Sequence, residues 1–257
     1  MAKIHFVEKG SGSPIVLLHG FCETNDVWDE FSSPLSQNYR IITPDLPGFG
    51  NSAPIHGPFE LNDIALTLLD WLDSLMLGSC LLIGHSLGGY ITLAMARHQP
   101  ERFAGFGLFH STANADTPEK KDNRYKVNDF VQRNGAEAFI KNYVPGLFFD
   151  PGHEAVSMVR KIADRSKAQS IIDYNLAMTK RPSHLEFLST FQNPILMIGG
   201  HNDSIIPIAT LQEQSKLNSQ IHFHAIQETG HMGMYESPSR TRQIIQNFAE
   251  LCDFRTT

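Results

Sequence analysis

Ser86 stands in Gly84-His85-Ser86-Leu87-Gly88, a serine with a glycine two residues away on either side. The apolar run Leu81-Leu82-Ile83 stops at that motif, and helical spacing of Ile91, Leu93, Ala94 and Met95 follows it. Strand, sharp turn and helix therefore meet at the serine. Glycines without a Cβ let the two backbones crowd together and force the hydroxyl outward. Chance alone supplies such a pattern on the order of once in ten chains of this length, so the serine needs partners. A hydroxyl becomes a useful nucleophile when a base takes its proton and an acid orients that base. Asp203, in the loop after Ile195–Ile198, and His231, in Glu228-Thr229-Gly230-His231-Met232 after Ile221–Ile226, are of the right types in the right kind of loop. Such a set performs acyl transfer: attack on a carbonyl, an acyl-serine, then hydrolysis.

Those loops need strands beneath them. Residues 4–9, 15–18, 39–44, 81–83, 103–109, 195–198 and 221–226 read as seven strands. Most are short continuous apolar runs, the pattern of strands buried on both faces of a parallel sheet. The first reads as an edge, and the last alternates enough to lie near one. Helical patterns fall between them at 61–76, 87–98 and 207–216, with a last helix opening at Ser237-Pro238. Asn62 or Asp63 is expected to help cap the 61–76 helix. Alternating strand and helix predict an α/β, doubly wound, mostly parallel sheet with helices on both faces. From Ser111 to Phe187 no strand pattern occurs. Amphipathic patches broken by Gly135, Pro145-Gly146 and Pro151-Gly152 predict a helical insertion between two strands, with the two Pro-Gly pairs as candidate hinges. The expected organisation is a core domain of residues 1–110 and 188–257 and a helical cap of residues 111–187.

Composition narrows the partners. The 257 residues are 41% apolar and 19% charged, as in a soluble globular chain, with a net charge of −6 and no long basic run. Nucleic acid and an anionic membrane surface are therefore not expected as partners. No apolar stretch reaches the roughly 18 residues of a membrane span, and the run after Met1-Ala2-Lys3 is too short for a signal peptide. Cys22, Cys80 and Cys252 are far apart, odd in number and free of any C-x-x-C, which predicts a reduced, cytoplasmic setting.

Five motifs in order carry a resemblance: Leu18-His19-Gly20-Phe21, Pro44-Asp45-Leu46-Pro47-Gly48-Phe49-Gly50-Asn51-Ser52, Gly84-His85-Ser86-Leu87-Gly88-Gly89, the loop Gly200 to Pro207, and Gly230-His231. With Ser, Asp and His in that chain order, the sequence resembles the α/β-hydrolase superfamily, in particular its compact capped serine esterase-like members. The resemblance covers nearly the whole chain. It implies an eight-stranded sheet with the cap inserted after the sixth strand. It implies Ser86 as nucleophile, His231 as base, Asp203 as orienting acid, and the backbone N–H groups of Phe21 and Leu87 as oxyanion hole. No metal or organic cofactor is implied, and the expected substrate is a small-molecule ester or related acyl compound.

Relatives with Asp as nucleophile cleave carbon–halogen bonds or epoxides, so Ser86 points away from them. Carbon–carbon bond hydrolases, lyases and slow-turnover ligand receptors share the serine motif. The menaquinone-pathway lyase typically has Arg where this chain has Tyr90. Arg124, Arg133, Arg160, Arg165 and Arg181 in the insertion leave room for anionic substrates. Asp116 is the alternative acid. Asp45 reads as a turn residue, His19 and His85 as hydrogen-bonding supports, Cys22 as a small packing residue, and His222 with His224 as exposed strand residues. Trp28, His110 and Met232 are candidate pocket walls, along with Phe49 and aromatics of the insertion.

Overall fold

The computed structural model describes residues 3–252; Met1 and Ala2, the first residues of the leader reading, lie outside them. Seven strands form one sheet: β1 (Phe6–Lys9), β2 (Pro14–Leu18), β3 (Arg40–Pro44), β4 (Cys80–His85), β5 (Phe103–Phe109), β6 (Ile195–Gly200) and β7 (Ile221–Ile226). Their spatial order is β1-β3-β2-β4-β5-β6-β7. Only β1 runs antiparallel to its neighbour, β3. Every residue of β2, β4 and β6 is buried, as expected for continuous apolar strands covered on both faces. The two edges, β1 and β7, are partly exposed.

Among the described residues ten α-helices accompany the strands: α1 (Asp29–Leu35), α2 (Leu61–Ser74), α3 (Leu87–His98), α4 (Pro118–Tyr143), α5 (Val156–Ala163), α6 (Ala168–Lys180), α7 (Leu185–Thr190), α8 (Ile208–Gln214), α9 (Gly233–Glu236) and α10 (Pro238–Cys252). α2 packs on α3, and α1 on α10. The capping expectation for α2 holds for Asp63: its carboxylate accepts the N–H of Glu60 at 2.8 Å, and Glu60 completes a reciprocal capping box. Asn62 instead accepts from the His98 ring.

Two expectations are corrected. The sheet has seven strands among the described residues where eight were expected, because none of those residues adds a strand beyond β1 or β7. The helical insertion accordingly follows the fifth strand, β5, and not the sixth. It comprises α4 to α7, with no strand between β5 and β6. The expected border at residue 187 falls inside α7, whose Phe187 and neighbouring Phe191 pack on Phe106 of β5 at ring separations of 6.2 and 4.9 Å. No helix among the described residues is long and apolar enough to cross a membrane.

α4 is bent. Gly135 has φ 83° and ψ 168° inside it, a conformation that only glycine adopts without strain, and the helix changes direction there. The candidate hinge Pro145-Gly146 is tied down. The carbonyl of Gly146 accepts from Ser204 Oγ, that of Leu147 accepts the His231 N–H at 2.7 Å, and Glu236 receives the Phe149 N–H at 2.6 Å.

Candidate active site

Ser86 connects β4 to α3 with φ 50° and ψ −113°. A non-glycine residue there is strained by roughly 1–3 kcal/mol and is held only by what surrounds it. The surroundings are specific. Ser86 N–H donates to the Phe109 carbonyl at 2.9 Å, and the Ser86 carbonyl accepts from Gly89 N–H at 2.9 Å and Ser111 Oγ at 2.7 Å. A Cβ at Gly84 would lie 2.2 Å from the Gly88 carbonyl carbon, and one at Gly88 would lie 2.6 Å from the Leu18 carbonyl oxygen. The two glycines are required by close approach, as their spacing predicted.

Three strand-end loops converge on this serine. Ser86 Oγ lies 2.8 Å from His231 Nε2, and His231 Nδ1 lies 2.8 Å from Asp203 Oδ2. An ionised carboxylate only accepts, so Nδ1 carries the imidazole proton and Nε2 is free to accept from the serine hydroxyl. The other oxygen of Asp203, Oδ1, accepts the N–H groups of Ile205 and Ile206 at 2.8 and 2.9 Å. The turn-capping role and the histidine-orienting geometry are thus both present, one on each oxygen. Burial works against the charge on Asp203, but His231 and hydrogen bonds from His110 and His231 outweigh it and hold the carboxyl well below the usual range. Asp116, the alternative acid, does not face His231 but pairs with Arg124 and Arg181.

His110 is a third partner that spacing did not single out. Its Nδ1 lies 3.1 Å from the same Asp203 Oδ2. It is fully buried at the end of β5 with φ 50°, and burial drives its pKa down to about 4, so it is neutral. His110, Asp203 and His231 also form the only metal-like donor cluster among the described residues. His110 Nδ1, both His231 nitrogens and both Asp203 oxygens are committed to one another, to two backbone amides and to Ser86, while His110 Nε2 is buried without a partner.

Behind His231 lies a second buried pair. Glu23 Oε2 is 3.0 Å from His85 Nδ1 and accepts the Gly20 N–H at 2.6 Å. His85 Nε2 meets the carbonyl of His231 at 2.9 Å. A carboxylate and a carbonyl are both acceptors, so both ring nitrogens must carry protons. Burial opposes the imidazolium, yet the charge and hydrogen bond of Glu23 prevail and raise the His85 pKa. This pair links the Phe21 loop, β4 and the His231 loop. The sequence held one available signal, a lone carboxylate three residues past Gly20. His19 ties its loop to the one after β3: Nε2 accepts from Leu46 N–H at 2.9 Å.

The other readings sort by environment. Asp45 accepts from Asn25 N and Nδ2 and from Asn51 N, all at 2.8 Å, as a turn residue should. Cys22 is buried, and burial pushes its thiol far above the ordinary value, which makes it inert. His222 rests against Phe248 at the exposed edge.

A cavity of about 440 Å³ opens onto Ser86. Phe21, Val127, Phe139, Tyr143 and Met178 supply apolar wall, while Lys120, Asn123, Arg124 and Asn175 supply polar wall. The expected walls Trp28, His110 and Met232 are not among its lining residues. Trp28 is fully buried between Phe31, His85 and Phe109, Met232 is fully buried, and His110 is turned to Asp203. Trp28, His110 and Met232 pack beneath the site, and most of the walls come from the insertion, joined by Phe21, Tyr90, Ser204 and Ile205 of the core. Leu87 opens α3, where the first N–H has no intrahelical acceptor. Phe21 brings its ring to the cavity, edge-on to Phe139 and Tyr143.

Comparison with known proteins agrees with this architecture. The alpha/beta hydrolase fold family model matches residues 13–238, and the chain belongs to the α/β-hydrolase family. A solved structure of a thermophilic esterase from Thermogutta terrifontis, with malate bound, superposes with a TM-score of 0.92 at 30% identity, over 98% of this chain and 94% of that one. The pimeloyl-[acyl-carrier protein] methyl ester esterase of Aeromonas hydrophila is 25% identical over 93% of this chain and 96% of its own length. The dihydrolipoyllysine-residue acetyltransferase component of the acetoin cleaving system of Pseudomonas putida is 28% identical over 92% of this chain, which spans 63% of that relative's length.

Proposed function

We propose that this chain is a serine hydrolase that cleaves small or medium carboxylic esters through an acyl-serine intermediate. The observation that carries the reading is the unbroken hydrogen-bond chain from Asp203 through His231 to Ser86, each link 2.8 Å, opening on a cavity. In this reading His231 Nε2 takes the Ser86 proton as Oγ attacks the ester carbonyl. The N–H groups of Phe21 and Leu87 receive the oxyanion of the tetrahedral intermediate, each such donor being worth about 3–4 kcal/mol of barrier. His231 then passes the proton to the leaving alcohol, and water activated by the same nitrogen releases the acid. Asp203, kept ionised, holds the tautomer that makes Nε2 the base. The helices α4 to α6 act as the cap that shapes the acyl site. The esterases among its relatives support the reaction type.

The test is hydrolysis of a p-nitrophenyl ester series from acetate to octanoate by the wild-type protein and by Ser86→Ala. Wild-type turnover with a chain-length optimum is expected, together with loss of nearly all activity in the variant. Equal rates in the two proteins would sink the proposal.

A further inference from the structure

Lys120 and Arg124 lie one turn apart on α4, and both line the cavity that contains Ser86. They belong to a charged group that does not balance. Asp116 is buried and meets two guanidiniums: Arg124 Nε at 2.5 Å on Oδ2, and Arg181 Nη1 at 2.7 Å on Oδ1. Lys120 adds a third positive charge, and its Nζ donates to the backbone carbonyl of Ile205 at 3.2 Å. Three cations against one carboxylate leave a formal surplus of two, in a chain whose net charge is −6. Burial lowers the Lys120 pKa, and Arg181 and Arg124 push the same way against Asp116 and Asp203. The ammonium is held where its charge is disfavoured.

Other carboxylates do not fill the gap. Asp203 is occupied by two histidines and two amides. Glu119 lines the cavity but is exposed to solvent. Arg124 Nη1 points to Asn175 Oδ1 at 3.3 Å, so Asn175 and Asn123 stand beside the cations as neutral polar groups. Apart from the hydroxyls of Ser86, Ser204, Tyr90 and Tyr143, the rest of the wall is apolar. A ligand that suits both parts has an apolar stretch and a negative end, and a charge-assisted bond to that end is roughly twice as strong as a neutral one.

We propose that the cavity takes esters bearing a second, ionised carboxylate, of which half-esters of dicarboxylic acids are the simplest, and that Lys120 and Arg124 hold that carboxylate. This rests on the ester-hydrolase reading and names its substrate class.

The experiment compares monomethyl with dimethyl esters of succinate, glutarate, adipate, pimelate and suberate, with wild type, Lys120→Met and Arg124→Met. At the best chain length kcat/KM for the half-ester should exceed that for the diester by about tenfold or more, chiefly through KM. The ratio should collapse toward one in Lys120→Met and weaken as salt rises. Arg124→Met also strips Asp116 of a partner, so Lys120→Met, which gives up one backbone contact, carries the test if that variant folds poorly. Diesters cleaved as well as half-esters at every length, in a Ser86-dependent manner, would overturn this inference and leave the esterase reading intact. If neither ester type is turned over, the reading falls, and the inference is decided by calorimetry with monomethyl adipate on Ser86→Ala. Binding weakened about tenfold by adding Lys120→Met sustains it, and no binding ends it.

Discussion

At the scale of single residues, Asp203 divides its work between its two oxygens, and that division makes a sharp prediction. In Asp203→Asn the amide oxygen would still accept from the Ile205 and Ile206 N–H groups, but an NH₂ would stand where Oδ2 faces His231 Nδ1. That donor would move the imidazole proton to Nε2, which then has no lone pair for the Ser86 hydroxyl. Asp203→Asn is expected to lower kcat on the order of 10⁴-fold, while circular dichroism and the thermal midpoint report a folded protein. A loss below about tenfold would remove Asp203 from the catalytic set. Asp116 offers the contrast. It has the right type and a plausible chain position, but only tertiary structure reveals that Arg124 and Arg181 occupy both of its oxygens.

At the scale of elements, two glycines do different things. Gly84 lets β4 pass against α3 at the serine turn, and an added Cβ would meet Gly88 backbone at 2.2 Å. Gly84→Ala should therefore lower both the thermal midpoint and the activity, since the strand and the serine must shift together. Gly135 has open space around it, so only its backbone conformation resists substitution. Gly135→Ala is expected to cost about 1–3 kcal/mol. Its bend lets one helix present Lys120, Arg124 and Val127 before the kink and Phe139 and Tyr143 after it to a single cavity. A raised KM with kcat largely kept is the expected kinetic signature, and unchanged KM would separate the kink from substrate binding.

At the scale of the whole molecule, buried histidines set the response to acid. Burial lowers His110 and His184 each to about 4, against about 6.5 for an unfolded histidine. Between those values the unfolded chain binds up to two protons that the folded chain refuses, so stability falls as pH drops from about 6.5 to about 4. His85 has the opposite shift: its raised pKa gives stability that is complete below about 6.5 and is lost as pH rises through its folded value. Urea midpoints measured from pH 4 to 9 should decline on both sides. His184→Gln is expected to flatten the acid side, and Glu23→Gln to flatten the alkaline side because His85 loses the charge that keeps it protonated. An acid limb unchanged in His184→Gln would refute the assignment.

The sequence by itself determined the strand runs, the alternation with helices, the helical insertion, and the serine, aspartate and histidine at strand ends. Those features are local: burial writes apolar runs, close backbone approach demands glycine, and a loop residue's type declares its chemistry. Tertiary structure decided everything that depends on which side chains meet across distant segments. It set Asp203, and not Asp116, against His231, added His110 to the same carboxylate oxygen, and placed a charged Glu23–His85 pair behind His231. It also placed most of the cavity wall on α4 and α6, with Phe21 and Tyr90 beside them, and not on Trp28, His110 and Met232. No spacing rule reaches such contacts, because the partners lie 28 to 145 positions apart along the chain, and it is the order of β4, β5, β6 and β7 in the sheet that sets their carboxyl-terminal loops within hydrogen-bonding distance.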